Sequence, residues 1–208
     1  MSLLFNPVRE AEQISLADGT LFLTPAFYQV DAAAQLFAQL RDDIAWQQGS
    51  IRIYGKSHQE PRLTAWFGDE GARYCYSGRD LTPQAWTPVL ANIKQMVETH
   101  TGHRFNSVLL NYYRDEKDGM GWHSDDEAEL GAQPVIASLS LGASRRFKLR
   151  HKFVPQKQTL SITLGDGDLI VMAGAMQENW QHSVPKETHK QGARINLTFR
   201  LIKPRNGS

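Results

Sequence analysis

The chain has 208 residues, of which 41% are hydrophobic and 22% charged, and its formal net charge at pH 7 is +1. This length and composition fit one domain over residues 1–208 with a sizeable core, and they exclude a largely disordered chain. The net charge neither supports nor excludes a nucleic-acid partner, because a basic surface can be local.

Two helices are predicted in the first half of the chain. Residues 31–44 begin with Asp31 as a candidate N-cap and continue with apolar residues at helical spacing. Residues 82–101 predict a second helix, with Thr82 as the cap and Pro83 at the first helical position.

The region between the two helices predicts a lid. Residues 47–80 contain strand-like pieces at 51–54 and 73–76 with loops between them. A simple insertion is the alternative to a lid that covers a site.

From residue 105 the sequence changes to short segments that are rich in branched or aromatic residues and separated by turn signals. Two helices followed by many short strands predict an α+β fold, in which the helices pack on a β-sandwich or a jelly roll over about residues 105–202. The strands are predicted at 105–113, 135–141, 146–152, 158–164, 168–172 and 194–202.

A candidate metal site lies in His123-Ser124-Asp125. Positions i and i+2 of extended backbone point to the same face, so the imidazole and the carboxylate can bind one ion. His182 is the candidate for a third ligand. Two imidazoles and one carboxylate leave positions open for a cosubstrate and oxygen, as in non-haem Fe(II) oxygenases. A surface histidine and a turn aspartate explain the triplet equally well, so the interpretation depends on a matching cosubstrate site.

The strand at 194–200 alternates strictly between polar and apolar side chains. Arg194, Asn196, Thr198 and Arg200 share one face. Guanidinium groups bind carboxylates in a bidentate manner, and the amide and the hydroxyl can donate further hydrogen bonds, so this face suits a dicarboxylate. A solvated basic face is the alternative interpretation.

A second polar pair, Asn111 and Tyr113, shares a face with Leu109 near the end of an apolar strand. These side chains could supply the remaining donors of a cosubstrate site. For Tyr113, packing in the core is an equally simple interpretation.

Taken together, these residues resemble the AlkB family of oxidative dealkylases, and the stretch from about 51 to 202 is similar to its duplex-repairing members. The most specific part is Arg-x-Asn-x-Thr-x-Arg at 194–200, combined with the upstream His-x-Asp and an intervening histidine. Further matching pieces are Asn111-Tyr112-Tyr113, residues 123–127, residues 138–143 and residues 147–152.

The resemblance implies a double-stranded β-helix that uses Fe(II), 2-oxoglutarate and O₂. It implies oxidative removal of methyl groups from bases such as 1-methyladenine and 3-methylcytosine in DNA, with release of formaldehyde, succinate and CO₂. By residue matching, Fe(II) is held by His123, Asp125 and His182, and 2-oxoglutarate by Asn111, Tyr113, Arg194, Asn196, Thr198 and Arg200.

A base inside a duplex can be oxidised only after it is flipped out, so such an enzyme needs a nucleotide-recognition lid. The resemblance places two lid tyrosines on a short strand, where one stacks on the base opposite His123. It places Tyr54 at an intercalating finger where relatives more often carry Phe, an arginine near the extruded base, and a carboxylate that accepts from its exocyclic amine. The candidate substrate-binding residues are Tyr54, Gly55, Lys56, Arg62, Tyr74, Tyr76, Asp126 and Glu127.

A basic cluster follows at residues 145–152, with Lys157 just beyond it. Arg146, Lys148, Arg150 and Lys152 share one face of the predicted strand. Solvation is the usual reason for such a face. With a base-flipping lid elsewhere in the chain, we interpret it as a set of phosphate contacts.

Two other functions fit part of the pattern. A 2-oxoglutarate oxygenase that acts on RNA or on a substrate other than nucleic acid would have the same iron and keto-acid sites, and only the lid tyrosines and the basic strand favour DNA. A non-catalytic jelly-roll binding module is disfavoured because all three ligands and both arginines are present.

The expected partner is DNA with alkylated bases, single- or double-stranded, and RNA is a second candidate. We expect a monomer without a membrane segment or a signal peptide. The single cysteine, Cys75, suits a reducing compartment, so the expected location is the cytoplasm, or the nucleus in a eukaryote.

Overall fold

The computed structural model of the chain describes residues 10–53, 56–72, 74–76, 79–154 and 159–203. Two long helices, α1 (Val30–Asp43) and α2 (Pro88–Thr101), precede most of the strands, and a short helix, α3 (Met176–Asn179), lies near the end. The strands are β1 (Glu12–Leu16), β2 (Gly19–Thr24), β3 (Ser50–Ile53), β4 (Lys56–Gln59), β5 (Leu63–Gly68), β6 (Tyr74–Tyr76), β7 (Arg79–Leu81), β8 (Ser107–Tyr113), β9 (Met120–His123), β10 (Ile136–Gly142), β11 (Arg145–His151), β12 (Leu160–Leu164), β13 (Leu169–Ala173), β14 (Trp180–Val184) and β15 (Arg194–Arg200).

The strands form two main antiparallel sheets. The large sheet has the order β1-β2-β13-β10-β15-β8-β5, and the small sheet has the order β12-β11-β14-β9. From β8 onwards the chain passes back and forth between the two sheets, except where β11 and β12 pair as neighbours. This is the predicted jelly-roll class of α+β fold. Two further hairpins, β3–β4 and β6–β7, stand outside both sheets.

Apolar side chains cover both faces of the large sheet. On one face, Leu197 and Phe199 of β15 pack in a buried cluster with Leu40 of α1 and Ile93 of α2. On the other face, a second cluster contains residues from both sheets and therefore fills the space between them. The helices thus cover one side of the large sheet as predicted, and its other side packs against the small sheet.

The two long helices begin at other residues than those predicted. Gln29 is the N-cap of α1 and makes no side-chain capping bond, so the assignment of Asp31 as the cap was wrong. Thr87, whose side chain accepts from the backbone N–H of Leu90, caps α2, so the assignment of Thr82 and Pro83 was also wrong. Residues 82–87 stay outside the helix because backbone hydrogen bonds of Gln84 tie them to β5.

The predicted lid and jelly-roll boundaries also differ from the structure. Strand β5 falls within the predicted lid, yet it pairs with β8 and forms one edge of the large sheet. Strands β1 and β2 precede the predicted jelly roll and extend the opposite edge. None of the helices in the described ranges has the length and apolar character needed to cross a bilayer.

Candidate metal centre

Two neighbouring strands of the small sheet bring the predicted metal ligands together. His123 at the end of β9 lies directly opposite His182 of β14, and their ring centroids are 4.2 Å apart. Asp125 follows two residues after His123 in the loop that leaves β9. One ligand atom from each of the three side chains lies within 4.8 Å of the other two. The spacing of the sequence motif therefore corresponds to one convergent group in space.

Hydrogen bonds to the segment around α3 fix the loop that carries Asp125. The hydroxyl of Ser124 donates to the carbonyl of Trp180 at 2.9 Å, and the backbone N–H of Asp125 donates to Oε1 of Gln177 at 2.9 Å. Nδ1 of His123 lies 2.9 Å from the carbonyl of Gly121, which can only accept, so Nδ1 carries the proton. The free lone pair of His123 is then on Nε2, where a metal can bind.

Burial and neighbouring charges prepare the three side chains as ligands. Burial, and then the proximity of His123, lower the pKa of His182 to about 3, so its imidazole is neutral at physiological pH. Burial alone would raise the pKa of Asp125, but the guanidinium of Arg200, which also donates to this carboxylate, contributes most to lowering the pKa below its usual value. Neutral imidazoles and an ionised carboxylate are the protonation states that bind a divalent metal.

The polar face of β15 continues from this group into the space between the sheets. The guanidinium of Arg200 donates to Oδ1 of Asp125, so the two predicted sites are in contact. In the ladder between β15 and β8, Asn196 is opposite Asn111 and Arg194 is opposite Tyr113. All of these predicted cosubstrate residues therefore belong to one region between the sheets.

Arg194 is the most unusual side chain of this region. It is 2% exposed, and its Nη2 donates to the hydroxyl of Ser140 at 2.8 Å. Its Nε and Nη1 have no hydrogen-bond partner within the described residues. Burial lowers its pKa to about 10, and the ring of Tyr113 lies 5.4 Å from the guanidinium carbon. A buried cation with two unpaired nitrogens needs an anion, and a carboxylate that accepts from one of these nitrogens is a suitable one.

Thr198 and Ser138 of β10 support Asn196, whereas Ser140 accepts from Arg194. The amide nitrogen of Asn196 donates to the hydroxyl of Ser138 at 2.7 Å, and Thr198 donates to the amide oxygen of Asn196 at 3.0 Å. Ser138 and Ser140 are buried beside β15, and they were not among the predicted site residues. The alternation in Ser138-Leu139-Ser140-Leu141 is the signal that could have indicated them, because both serines lie on the face turned towards the other sheet.

Of the predicted substrate-binding residues, Arg62 is placed clearly and lies inside the protein. Its Nε donates to Oδ1 of Asn111 at 2.8 Å, and its Nη2 lies 3.1 Å from Oε2 of Glu60. Tyr54 and Gly55 lie outside the described residues. Tyr74 and Tyr76 belong to β6, within the predicted strand at 73–76, and Lys56 begins β4, which was not predicted. The side chains of these three residues are outside the described part of the structure.

Asp126, one of the two acidic residues predicted to contact the substrate, is paired with Lys152. Nζ of Lys152 lies 3.1 Å from Oδ2 of Asp126, and it also donates to the carbonyl of Gln177 at 2.8 Å. Lys152, predicted as a phosphate contact, is therefore joined to the metal loop. In Glu127, Oε2 is buried and has no hydrogen-bond partner among the described residues.

The basic strand β11 alternates as predicted, with Phe147 and Leu149 buried and Arg150 exposed. Arg146 pairs with Glu187 at 2.6 Å, whereas Lys148 is half-buried on the same face. The guanidinium of Arg150 stacks over the ring of Trp122 at 4.4 Å and donates to Oε1 of Gln181.

Arg145 does not belong to this basic face. It is 1% exposed and donates to the carbonyls of Asp115, Asp118 and Pro185. Its inclusion in a surface cluster was wrong, because the alternation of β11 turns it inwards together with Phe147. Lys157 lies outside the described residues.

Two facing sheets and a group of two histidines and one carboxylate define a jelly-roll protein with a candidate non-haem metal centre. A family model described as the 2OG-Fe(II) oxygenase superfamily matches residues 20–200. The human alpha-ketoglutarate-dependent dioxygenase alkB homolog 3 is 45% identical over 190 residues, which cover 88% of this chain and 66% of the relative. The chain thus spans slightly less than two thirds of the length of that relative.

The mouse protein named DNA oxidative demethylase ALKBH2 is 38% identical over 181 residues, which cover 83% of this chain and 76% of the relative. The solved structure of OsALKBH1 has the same fold, with a TM-score of 0.63 at 15% identity, and the match covers 91% of this chain and all of that one. The chain therefore belongs to the 2OG-Fe(II) oxygenase superfamily and, within it, to the AlkB family.

Proposed function

We propose that the protein is an Fe(II)- and 2-oxoglutarate-dependent dioxygenase that demethylates alkylated bases in DNA by direct reversal. The observation that carries the proposal is the joined site between the sheets. Three ligand side chains converge within 4.8 Å, Arg200 contacts one of them, and the buried Arg194 has no counter-ion within the described part of the chain.

His123, Asp125 and His182 would hold the iron. When bound, Fe(II) with 2-oxoglutarate and O₂ supplies the oxidation that converts a methyl group on a base nitrogen to a hydroxymethyl group, which leaves as formaldehyde, while 2-oxoglutarate becomes succinate and CO₂. Burial keeps the imidazole of His182 neutral, the Gly121 carbonyl orients the ring of His123, and Arg200 holds the carboxylate of Asp125 ionised. These residues thus present a donor set that leaves positions open for cosubstrate and oxygen.

The two arginines of β15 would bind the two ends of 2-oxoglutarate. Arg200 contacts the metal ligand Asp125 and so would bind the carboxylate next to the keto group. Arg194, six positions earlier on the strand, would donate to the distal carboxylate from a nitrogen that has no partner within the described residues. Hydrogen bonds from the remaining predicted residues, Asn111, Tyr113, Asn196 and Thr198, would complete or support the site.

The substrate part of the proposal is supported by the names of the relatives and by the surface beside the metal group. The ALKBH2 relatives are named DNA oxidative demethylases. Tyr74 and Tyr76 of the β6–β7 hairpin would stack on a flipped base, and the finger at Tyr54–Lys56 would fill the gap. Glu127 is the better acceptor for an exocyclic amine, because Lys152 already pairs with Asp126.

The proposal is tested with oligonucleotides that contain 1-methyladenine or 3-methylcytosine, offered single- and double-stranded and analysed by mass spectrometry. We expect loss of the methyl mass that requires Fe(II), 2-oxoglutarate and O₂, with one formaldehyde released for each methyl group. The same oligonucleotides with unmodified bases and a reaction with a metal chelator are the controls. Succinate formation without any change in the DNA would show that the substrate lies elsewhere.

The outer face of β11 is proposed to contact DNA phosphates. Lys148 and Arg150 have no carboxylate partner within the described residues, whereas Arg146 and Lys152 do. We expect Lys148→Glu with Arg150→Glu to weaken DNA binding and to reduce the slope of log K against log salt by about one for each lost contact. Fluorescence anisotropy at several salt concentrations measures both effects.

The matched control for that measurement is Arg104→Glu. Arg104 is a surface arginine near the end of α2 that pairs with Glu98, so its replacement changes the net charge without touching β11. Arg104→Glu changes the net charge by half as much as the double variant, so a loss of log K about half as large would show that net charge alone matters. It would remove the β11 face from the proposed interface.

RNA is a second candidate substrate, because the phosphate contacts and the base-stacking tyrosines do not distinguish RNA from DNA. The same methylated bases placed in RNA test it directly. We further propose that the protein acts as a monomer in the cytoplasm, or in the nucleus of a eukaryote, which suits a chain with one cysteine.

A further inference from the structure

Arg62 makes a buried contact that the proposed reaction does not yet use. It lies between β4 and β5, is 8% exposed, and forms an ion pair with Glu60, which is 7% exposed. Its Nε donates to Oδ1 of Asn111 at 2.8 Å. Arg62 therefore connects the segment after the β3–β4 hairpin with a residue proposed to bind 2-oxoglutarate.

The chemistry of the contact determines how the Asn111 side chain is oriented. A carboxamide has one acceptor oxygen and a nitrogen with two donor hydrogens, whereas a guanidinium can only donate. Arg62 must therefore bind the amide oxygen, and the amide nitrogen points the other way. If the amide were flipped, two donors would face each other in a buried site, which costs free energy.

Neighbouring hydrogen bonds hold Arg62 in this position. The backbone N–H of Glu60 donates to the carbonyl of Gly49 at 2.8 Å, and the side chain of Gln48 donates to the carbonyl of Glu60 at 3.1 Å. The carbonyl of Pro61 accepts from Gly119, next to β9, at 2.9 Å. The segment is thus fixed both to the chain before the hairpin and to the strand that ends in His123.

We propose that Arg62 is a positioning residue for 2-oxoglutarate, which acts by orienting the amide nitrogen of Asn111 towards the cosubstrate. This rests on the proposed function, since it assumes that Asn111 binds 2-oxoglutarate. It replaces the expectation that Arg62 lies at the extruded base. The two roles predict different effects of replacing Arg62. Loss of a positioning residue lowers the affinity for the cosubstrate, whereas loss of a base contact lowers the affinity for DNA.

The test is a double-mutant cycle on 2-oxoglutarate binding, measured by isothermal titration calorimetry with Mn(II) as a redox-inert metal in the full chain. We expect Arg62→Met to raise the Kd for 2-oxoglutarate about tenfold. We expect Asn111→Ala to raise it by at least as much, and Arg62→Met to have no further effect in the Asn111→Ala background. Affinity for an oligonucleotide that contains 3-methylcytosine should not change in Arg62→Met.

Two additional variants keep the test decisive. Arg62→Met leaves Glu60 buried without its partner, so Glu60→Gln with Arg62→Met is used if the single variant does not fold. Arg104→Met, which removes an arginine from its ion pair with Glu98 at the protein surface, is the control and should leave the Kd unchanged.

If Arg62→Met raises the Kd for 2-oxoglutarate by the same factor in the wild type and in the Asn111→Ala background, the proposal is overturned. Arg62 would then not act through the amide of Asn111. A loss of DNA affinity with unchanged cosubstrate affinity would overturn it in favour of the base contact. If the wild-type chain with Mn(II) fails to bind 2-oxoglutarate, the proposed function itself is wrong. If the wild type binds 2-oxoglutarate and Arg62→Met binds it equally well, only the positioning role of Arg62 is wrong.

Discussion

The His182→Ala variant is expected to lose demethylation activity by about a thousandfold or more, because it removes one of three metal ligands from the site. His182 is buried and neutral, and it lies 3.8 Å from Asp125 through its Nε2. No other described histidine or carboxylate joins the group, so nothing in the described site replaces the lost ligand. Turnover of a methylated oligonucleotide and Mn(II) affinity should both decrease.

The control for this prediction is His103→Ala, which removes an exposed histidine after α2. It should leave both metal affinity and turnover unchanged. Circular dichroism spectra of the two variants separate loss of the ligand from loss of the fold. Undiminished Mn(II) affinity in His182→Ala would show that the metal binds elsewhere.

The Arg194→Met variant is expected to weaken 2-oxoglutarate binding about a hundredfold and yet to stabilise the free protein. The loss follows from removing a charge-assisted hydrogen-bond donor to a carboxylate. The protein becomes more stable because the buried guanidinium lacks a counter-ion among the described residues, whereas the apolar Met side chain needs none. We expect an increase of about 1 kcal/mol in the free energy of unfolding.

Arg145→Met is the matched control, since both arginines are buried against the ring of Tyr113, at 5.5 Å for Arg145 and 5.4 Å for Arg194. Arg145 donates to three backbone carbonyls, so its loss should destabilise the protein by about 3 kcal/mol. Urea unfolding with and without 2-oxoglutarate and Mn(II) measures both variants. A stability loss in Arg194→Met equal to that in Arg145→Met would identify Arg194 as a structural residue.

The site strands differ in how well the sequence predicted them. Strand β15 was predicted because its polar and apolar residues alternate, and its seven residues form one regular ladder with β8. Strand β9 was missed because it has only four residues, one of them Gly121, so it has no strand pattern of its own. Strand β14 was missed because its sequence, WQHSV, is mostly polar, and its pairing with β11 fixes its conformation.

A signal that could have indicated the first hairpin was present in the sequence. Asp18-Gly19 stands between segments with alternating apolar residues, a pattern typical of a tight turn, and Asp18 has a positive φ of 56°. By contrast, no pattern in one sequence shows that Gln177 holds Asp125 or that Arg62 holds Asn111. Those contacts depend on how distant segments pack.

The α2 boundary shows the same limit for local signals. Thr82-Pro83 and Thr87-Pro88 are both good starts for a helix, and helical periodicity alone does not distinguish them. The choice is made by β5, because backbone hydrogen bonds between Gln84 and Trp66 and between Gly68 and Gln84 hold the first pair in extended chain.

The pairing of β9 with β14 has a consequence for the lifetime of the protein. β9 is the last strand of the small sheet, and its ladder with β14 has a register shift between His182 and Val184. Such an edge opens at a lower free energy than the centre of the large sheet. A metal held by His123 and Asp125 on one side and by His182 on the other would clamp the two strands, so its binding energy would add to their closure. Iron starvation would then expose this edge to proteases, and the supply of iron would govern how much enzyme persists as well as how fast it works.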